Sequence, residues 1–254
     1  MTEALVPPPH LSPSSMGTFN QCPQKFKYSK IDLIPDQPTE ATLMGNFVHE
    51  VLEYFYAMPP EERVIGTLKN LASYTWGNSN WLERVDPFVS GDENILMFRW
   101  KSWWCLENIF KVEQPKDVDA THIEYELNGE LAGVTLKGFI DRFTVGDSVV
   151  ISDYKTGKTP HARWVDDKFL QLRIYGSLAI ALGLPAPDSL QLLYLKDGTK
   201  FEVPFTDSDV SDTITYVTNT KNAIDEACQT HEFETRRTRL CDWCAYKTIC
   251  PAWR

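Results

Sequence analysis

The residue types best suited to chemistry stand at the ends of two successive apolar segments in the middle of the chain. Asp141 ends one segment, and Asp153 and Lys155 end the next. Side chains alternate along a strand, so Asp153 and Lys155 are expected on the same face. If the two segments pair as a hairpin, Asp141 and Asp153 meet at one rim. Such carboxylates suit Mg²⁺, and Lys155 could orient or deprotonate a water or stabilise charge on a phosphate.

Four further residues could complete such a site. His49 lies on a predicted helix four residues after Gly45, where the missing side chain would let another segment approach. An imidazole can complete a metal shell. Gln171 and Tyr175 are four residues apart, so they share one face of a predicted helix. Glu124 is an additional acidic candidate, although an exposed strand face explains it equally well. Each pattern alone is common on protein surfaces, and only their combination indicates a site.

The elements that must position these residues follow from the hydrophobic pattern. Helical periodicity and alternating strands predict an α/β layered fold with a mostly antiparallel sheet. Turn signals stand at Asn128-Gly129, Gly146-Asp147 and Asp197-Gly198. The predicted helices are residues 41–57, most of 60–112, 163–182 and 207–228, and the predicted strands are His122–Leu127, Ala132–Val145, Val149–Tyr154, Leu190–Leu195 and Lys200–Pro204.

The cysteines form a second candidate metal site. Cys241, Cys244 and Cys250 have the spacing C-x₂-C-x₅-C, and Cys22 lies far upstream. Four thiolates can hold a zinc ion or an iron–sulfur cluster, and the spacing alone favours zinc as the commoner type. A metal held there would tie the two ends of the chain together and convert binding energy into folding energy. The remaining cysteines, expected to be buried thiols, are Cys105 and Cys228.

The bulk composition narrows the class of protein without deciding its function. The hydrophobic fraction of 43% indicates a packed interior rather than a disordered chain. No apolar segment approaches the ~20 residues of a membrane span, and the first residues lack the features of a signal peptide, so we expect a soluble, cytoplasmic protein. The net charge of −10 argues only weakly against nucleic acid, because the local field in a cleft matters more than the sum.

Basic and aromatic residues could still contact DNA locally. Charge runs of this kind are most often solvated surface, and the Trp-rich helices of residues 76–104 are explained equally well as core. If a metal joins the chain ends, the basic groups there form one patch, and exposed aromatic rings could stack on unpaired bases. The residues concerned are Lys158, His161, Arg163, Lys168 and Arg173 near the acidic site, Lys25, Lys27, Lys30, Arg236, Arg237, Arg239, Lys247 and Arg254 near the cysteines, and the rings of Trp164, Trp243 and Tyr246.

In order and spacing, the strings GNFVHEVLE, GFIDR, DYKTGK and QLRIY resemble the RecB-type branch of the PD-(D/E)XK nuclease superfamily. The resemblance extends from Leu11 to Pro251. It implies that His49, Asp141 and Asp153 bind Mg²⁺ or Mn²⁺ and that Lys155 is catalytic. Gln171 and Tyr175 would organise the site and contact DNA.

The cysteine pattern is similar to that of an iron–sulfur branch of this superfamily, the AddB-type nucleases and the CRISPR-adaptation exonucleases. The counterparts include Cys22-Pro23, Cys250-Pro251 and the leading L-S-x-S pattern at Leu11–Ser14. This resemblance implies a structural [4Fe–4S] cluster held by Cys22, Cys241, Cys244 and Cys250, rather than zinc.

The resemblance also implies an architecture for the whole chain. We expect a PD-(D/E)XK restriction-endonuclease-like core, in which helices flank a mixed sheet, with a helical insertion and a C-terminal cysteine segment. The chain would be a single nuclease domain over residues 1–254. Its expected parts are an N-terminal cluster-ligand segment at 11–35, a helical lobe at 41–112, the nuclease core at 119–229 and an iron–sulfur segment at 236–254.

The function that follows is a metal-dependent DNA nuclease, with exonuclease action on single-stranded ends implied by the resemblance alone. The chain has no G-x-x-x-x-G-K-[ST] motif, so it would use available ends or work with a helicase or recombination partner. Three alternatives stay open: a non-catalytic DNA-binding module of the same fold, a redox protein that uses the cluster, and zinc in place of iron and sulfur. Cleavage polarity, oligomeric state and biological pathway do not follow from these patterns.

Overall fold

The computed structural model describes residues 5–253. Its helices and strands alternate in the order helices, three strands, one helix, two strands and a last long helix. The helices are α1 (Pro13–Gln21), α2 (Pro23–Phe26), α3 (Glu40–Ala57), α4 (Ile65–Asn78), α5 (Trp81–Val85), α6 (Asp92–Glu107), α7 (Ile109–Val112), α8 (Leu170–Ala181) and α9 (Asp207–Thr230), and the strands are β1 (His122–Leu131), β2 (Val134–Val145), β3 (Val149–Lys155), β4 (Ser189–Tyr194) and β5 (Thr199–Pro204).

The five strands form one mixed sheet in the order β1-β2-β3-β4-β5. The pairs β1/β2, β2/β3 and β4/β5 are antiparallel, whereas β3 and β4 are parallel and are connected through α8. Helices lie against this sheet, which confirms the expected α/β class with a mixed sheet flanked by helices. The parallel pair matters for the site, because it places the end of β3 beside the end of β4 and close to α8.

The side chains of the sheet contribute to two separate apolar clusters. The first, the α8 core, joins α1, α8 and α9 to strand residues such as Ile140, Ile151 and Leu192. The second, the lobe core, joins α3 to α6 and includes Tyr154 and Leu193 from the sheet. Neighbouring residues of one strand enter different clusters because strand side chains alternate. The α3 helix therefore belongs to the lobe but packs where β3 ends.

The predicted turn at Asn128-Gly129 is wrong. Gly129 lies inside β1 and pairs with Leu136, and the chain reverses instead at Ala132 and Gly133, which both have positive φ. Gly129 has a packing role, since an added Cβ would lie 2.4 Å from Leu182 Cδ2. A glycine in a strand often marks such a close approach. The first strand is therefore longer than predicted, and the second begins at Val134.

Other boundaries agree more closely. The hairpin around Asp197-Gly198 forms, with Tyr194 paired to Thr199. The predicted helix over 163–182 begins as short 3₁₀ turns, and regular α-helix covers only Leu170–Ala181. The long helix α9 begins at a capping box between Thr206 and Asp209, which satisfies free N–H groups of its first turn.

Across the described range, every helix is too short or too polar to cross a membrane.

Candidate active site

Five elements bring the predicted residues to one edge of the sheet. Asp141 lies on β2, Asp153 and Lys155 end β3, and the other residues come from α3, α8 and β1. The antiparallel pairing of β2 with β3 brings Asp141 beside Asp153, and the Tyr154 N–H donates to Asp141 Oδ2 at 2.7 Å. Asp141 is 7% exposed and Asp153 is 4% exposed. Two carboxylates are thus buried side by side, as the hairpin prediction required.

Lys155 and α8 hold the carboxylate of Asp153. The Lys155 Nζ atom lies 2.6 Å from Asp153 Oδ2, so both side chains point to the same face of β3. The Gln171 amide donates to Asp153 Oδ1 at 3.1 Å, and its carbonyl oxygen accepts from Lys155 Nζ at 3.4 Å. The same amide lies 3.5 Å from the hydroxyl of Tyr175, one helical turn further along. Gln171 therefore connects the acid, the lysine and the tyrosine.

His49 faces this edge from α3. Its Nε2 atom lies 2.9 Å from the carbonyl oxygen of Tyr154. A carbonyl can only accept, so Nε2 carries a proton and the other ring nitrogen is directed at the acids. That nitrogen, Nδ1, lies 3.5 Å from Asp141 Oδ2 and 3.9 Å from Glu124 Oε1. A hydrogen bond from the far nitrogen is how proteins usually orient an imidazole as a metal ligand.

Glu124 joins the group through an unusual backbone conformation. It has φ of 48° within β1, in the left-handed region that is rare for side chains other than glycine, asparagine and aspartate. Such a conformation costs of order 1–3 kcal/mol and often marks a functional site. The pairing of β1 with β2 skips Glu124, although Ile123 and Tyr125 on either side are paired. The break turns its carboxylate towards His49 and Asp141.

These three residues fit a divalent cation. Ligand atoms of His49, Glu124 and Asp141 lie within 4.8 Å of one another. One nitrogen and two carboxylate oxygens are ligands that Mg²⁺ and Mn²⁺ accept, with room for water. The carboxylate of Asp153 stands outside this group of three, engaged by Lys155 and Gln171.

The site opens onto a groove of about 620 Å³ beside α3. Its acidic lining residues are Glu50, Glu53 and Glu124.

Crowded charges shift the pKa values within the site. Burial and the neighbouring Asp141 raise the pKa of Asp153 to about 6, against the opposing effect of Lys155. Burial acts to lower the pKa of His49, but Asp141 and Glu124 outweigh it and hold that pKa well above its ordinary range. Burial also acts to lower the pKa of Lys155, yet Asp153 and Asp141 keep it above the usual value. Lys155 is therefore a cation at neutral pH.

Of the two glycines near the site, only Gly138 is required by the packing. An added Cβ at Gly138 would lie 2.5 Å from a ring carbon of Tyr175 and 2.7 Å from its hydroxyl oxygen, so only glycine lets the ring rest on β2. Burial, followed by the nearby Asp153, raises the pKa of Tyr175 to about 12, which keeps its hydroxyl protonated. At Gly45 an added Cβ would lie 3.4 Å from Thr156 Oγ1, an ordinary contact distance, so the segment after Lys155 lies beside α3 but does not require glycine there.

A buried network that sequence reasoning missed supports the site from beneath. Arg142 is 2% exposed and forms a two-pronged ion pair with Glu113, at 2.6 and 2.9 Å. It also donates to the Tyr154 hydroxyl at 3.1 Å and to Ser152 Oγ at 3.2 Å. Tyr56 donates to Glu113, and its ring stacks on that of Tyr154.

Tyr154 is the link between this network and the site. Its side chain is fixed by Arg142 and Tyr56, and its main chain bonds Asp141 and His49. The sequence does contain one sign of this network: Arg142 is a charged residue in an apolar strand, and a buried charge requires a buried partner.

The four predicted cluster cysteines line one cavity at the chain ends, although Cys22 is far from the others in sequence. Within residues 5–253, their sulfurs do not form a group of three within 4.8 Å, unlike the ligand atoms around His49. Cys105 and Cys228 are buried elsewhere, as expected.

Direct contacts already join the two ends of the chain there. Gln24 N–H donates to Glu234 O at 3.1 Å, and Arg236 donates to Asn20 O at 2.6 Å. The rings of Tyr28 and Tyr246 lie 5.3 Å apart. The two segments are thus associated by hydrogen bonds and ring contacts as well as by the shared cavity.

Some of the predicted DNA-contacting cations already have partners. Arg173 lies 2.6 Å from Asp166 and 2.7 Å from Asp209, so it stabilises the start of α9 rather than facing the acidic edge. Lys27 is paired with Asp32. Arg237 and Lys247 lie over the ring of Trp253, at 4.0 and 4.3 Å. Arg254 lies outside the described residues.

The tryptophans of the lobe do not share one environment. Trp81 is fully buried, as the core interpretation requires. Trp100 and Trp104 are 58% and 61% exposed, which a core role does not explain.

Comparison with known proteins identifies relatives over the full length. A model of the PD-(D/E)XK nuclease superfamily matches residues 10–251. The Gene 69 protein of Mycobacterium phage L5 is 25% identical over 301 aligned positions that cover 100% of both chains. The Gene 69 protein of Mycobacterium phage D29 is 25% identical over 230 positions, covering 77% of this chain and 78% of the relative.

A similar solved structure supports the fold. A crystal structure from Eubacterium rectale, named "Putative exonuclease", matches with a TM-score of 0.57 and 17% identity, over 93% of this chain and 87% of the other. At that identity the likeness concerns the fold, including the mixed sheet and its flanking helices.

Proposed function

This chain belongs to the PD-(D/E)XK nuclease superfamily, and from that premise we propose that it is a metal-dependent deoxyribonuclease. The single observation that carries the proposal is the convergence of Asp141, Asp153 and Lys155 with Gln171 at one buried edge. Asp153, Lys155 and Gln171 are in mutual contact, and Asp141 lies on the neighbouring strand beside Asp153, so a cation, two acids and an amide are available for phosphodiester hydrolysis. The chain would act as one nuclease domain, with the helical lobe and the cysteine end attached to the core.

His49, Asp141 and Asp153 would hold Mg²⁺ or Mn²⁺, with Glu124 as a further acidic ligand. The support is the cluster of ligand atoms within 4.8 Å around His49 and the bond from Nε2–H to the Tyr154 carbonyl, which directs Nδ1 at the acids, where a cation would take the place of its proton. When bound, the metal would polarise the phosphate and lower the pKa of a bound water. Asp153 would be shared between the cation and Lys155, which already neutralises it.

Lys155 would stabilise the charge that develops on the phosphate oxygens. Its raised pKa keeps the ammonium protonated at neutral pH, which favours this role over that of a general base. Gln171 would fix the positions of Lys155 and Asp153 relative to each other, because its side-chain amide group forms hydrogen bonds with both. Tyr175, a protonated hydroxyl beside Gln171, would donate to the substrate or to the bound water.

Exonuclease action on single-stranded ends is the specific activity that we propose. The similar fold of the protein named "Putative exonuclease" supports exonuclease action, and the chain has no helicase motif of its own that would open a duplex. Ends would therefore be supplied by available breaks or by a helicase or recombination partner. The exposed Trp243 and the cations Lys25, Arg236 and Arg239 at the chain ends would contribute to DNA binding.

The cysteine end would hold a structural [4Fe–4S] cluster through Cys22, Cys241, Cys244 and Cys250. The shared cavity supports a common ligand, and the preference for iron over zinc rests on the similarity of the cysteine pattern to the iron–sulfur nucleases. Iron, sulfide and zinc content of protein purified without oxygen separates the two. If the protein contains one zinc atom per chain and no iron, the cysteines bind zinc and the cluster assignment is wrong.

The test of the proposed function is degradation of single-stranded DNA labelled at one end, with Mn²⁺ or Mg²⁺. Wild type is expected to degrade the strand with metal and to stop with EDTA, and Lys155→Ala is expected to be inactive. Labels on opposite ends give the polarity. If wild type binds DNA but cleaves no form of it, the chain is a non-catalytic DNA-binding module instead.

A further inference from the structure

A groove in the helical lobe stands apart from the acidic site. It has a volume of about 330 Å³ and lies between α4 and α6, with one wall from α3. Aromatic and basic side chains dominate its lining, and among the described residues that line it there is no acid. The lining includes Lys69, Trp76, Leu96, Arg99, Trp100 and Trp103.

The aromatic wall of the groove is fixed before any ligand binds. The Trp76 ring packs edge-on against Phe47 at 5.7 Å and lies 6.0 Å from Phe98. The Arg99 guanidinium lies over Trp76, 5.0 Å from the ring centroid. A rigid ring with a cation above it is a low-entropy surface for another flat group. Trp100, on the same side, is 58% exposed and is ready to stack.

The charge of the groove contrasts with that of the rest of the molecule. The chain has a net charge of −10, and the groove beside His49 includes Glu50, Glu53 and Glu124. A DNA strand would be repelled there until metal binds. The lobe groove instead presents Lys69 and Arg99 beside its indole rings. Exposed indoles with neighbouring cations are what single-stranded nucleic acid binders use, because every unpaired base has a flat face and a phosphate.

The position of the groove relates it to the site. Phe47 lines the groove and His49 faces the site, both from α3. Two residues correspond to about 200° around a helix, so the groove and the site lie on opposite sides of α3, roughly 10–12 Å apart. A single strand would have to pass around α3 to contact both.

We propose that the lobe groove is an anchoring site for unpaired bases of the DNA strand whose end is cleaved. The inference rests on the proposed nuclease function and adds to it a second contact with the substrate. Bases would stack on the exposed ring of Trp100, beside the wall that Trp76 forms with Arg99 over its ring, and Lys69 and Arg99 would contact the phosphates. Paired bases do not present free faces, so duplex DNA would gain nothing from this groove.

The test measures binding of a fluorescent single-stranded oligonucleotide of about 20 thymidines, in EDTA so that no cleavage occurs. Trp100→Ala is expected to weaken binding about tenfold. Arg99→Gln is expected to weaken it too and to reduce the slope of log affinity against log salt by about 0.7, the contribution of one phosphate. A duplex of the same length should bind both variants as well as it binds wild type.

The same helix offers matched controls. Trp104 is 61% exposed and Lys101 is also exposed, but neither lines the groove. Trp104→Ala and Lys101→Gln should therefore bind the oligonucleotide like wild type. Arg99→Gln keeps the test valid if Trp100→Ala proves unstable, because Arg99 is an exposed side chain.

Three results would overturn the proposal, and they can be told apart. If Trp100→Ala and Arg99→Gln bind like wild type, the groove has another occupant, such as a partner protein. If the control variants weaken binding equally, the effect is one of lobe stability. If wild type binds no single-stranded DNA in EDTA, the groove is not an anchoring site, whereas the proposed nuclease function is decided separately by the cleavage test with metal.

Discussion

The carboxylate site around Asp153 and the cysteine end around Cys22 are both candidate metal sites, yet they are built differently. Strands β2 and β3 and helix α8 position the acids, and hydrogen bonds from Gln171 and Tyr154 hold them. The cysteines lie on short 3₁₀ turns and at the ends of short helices, where regular structure contributes little. Of these two sites, as far as residues 5–253 show, the carboxylate site alone has three ligand atoms within 4.8 Å of one another.

This difference indicates different tasks. Chemistry requires groups held in place before the substrate arrives, and a sheet edge with a buried supporting network provides that. A structural metal instead supplies its own binding energy to complete a weakly structured region. The carboxylate site should therefore lose function when altered without losing the fold, whereas the cysteine end should lose stability first.

The largest expected effect is loss of cleavage in Asp141→Asn. Removing one charged ligand should lower the cleavage rate by about 10³-fold, or about 4 kcal/mol in the activation barrier. The unfolding temperature should change little, because the asparagine oxygen still accepts the Tyr154 N–H. Single-turnover rates and calorimetry measure both. The matched control is Asp147→Asn, in the exposed β2–β3 turn. If both variants lose the same cleavage rate, Asp141 is not part of the active site.

The next effect should fall on stability at the other end of the molecule. If the proposed cluster is present, Cys250→Ser should not retain its iron, and the unfolding temperature should fall by about 10 °C, which corresponds to about 3 kcal/mol for a chain of this size. Cys228→Ala removes a buried thiol outside the cavity and should keep the iron. Elemental analysis and calorimetry of both variants check this. Retention of iron by Cys250→Ser would contradict the ligand assignment.

A smaller effect should follow from loosening the support beneath the carboxylate site. Tyr154→Phe removes the hydroxyl that accepts from Arg142, while the main chain of Tyr154 still bonds Asp141 and His49. We expect Mn²⁺ affinity to fall about tenfold, as for other residues that orient metal ligands.

Tyr56→Phe is the comparison for this prediction, because it removes a hydroxyl from the same network. Tyr56 does not bond His49 or Asp141 through its main chain, so its Mn²⁺ affinity should change less. Isothermal titration calorimetry of both variants gives the difference. Equal losses of affinity would mean that the network stabilises the fold generally rather than the position of Tyr154.

The smallest effect concerns pH. In the metal-free protein the pKa of Asp153 is raised to about 6 and that of His49 is raised above its ordinary value. Both groups therefore hold protons more tightly when folded, and their contribution to stability is lost as pH rises through these pKa values. A cation binds the deprotonated forms, so Mn²⁺ should raise the unfolding temperature by a few degrees more at pH 8 than at pH 5.5. A smaller rise at pH 8 would contradict this linkage.

The arrangement of the site was predictable where it depends on local rules. Strand alternation placed Asp153 and Lys155 on one face, and helical spacing placed Gln171 beside Tyr175, as the contacts confirm. The paired acids followed from a hairpin whose strands are adjacent in the chain. The hypothesis of an additional acid at Glu124 has support in its proximity to His49, but the left-handed conformation that achieves it has no sequence signature.

What could not be predicted depends on distant contacts. The pair Asn128-Gly129 between two apolar segments predicts a hairpin turn. The glycine is needed instead because Leu182, from a later segment, packs against this position of β1. The partner of Arg142 is Glu113, which directly follows α7. Strand β1 lies between the two residues in the sequence. Neither pair has a local pattern, since only the folded sheet brings them together.

The most direct test of this account compares Lys155→Gln with Cys250→Ser in single-turnover cleavage of labelled single-stranded DNA. The measurement uses saturating Mn²⁺ at a temperature where both variants are folded. We expect Lys155→Gln to cleave at least about 10²-fold more slowly than wild type and Cys250→Ser to keep most of the wild-type rate. A Lys155→Gln variant that cleaves at the wild-type rate would contradict the central claim that the carboxylate site performs the chemistry.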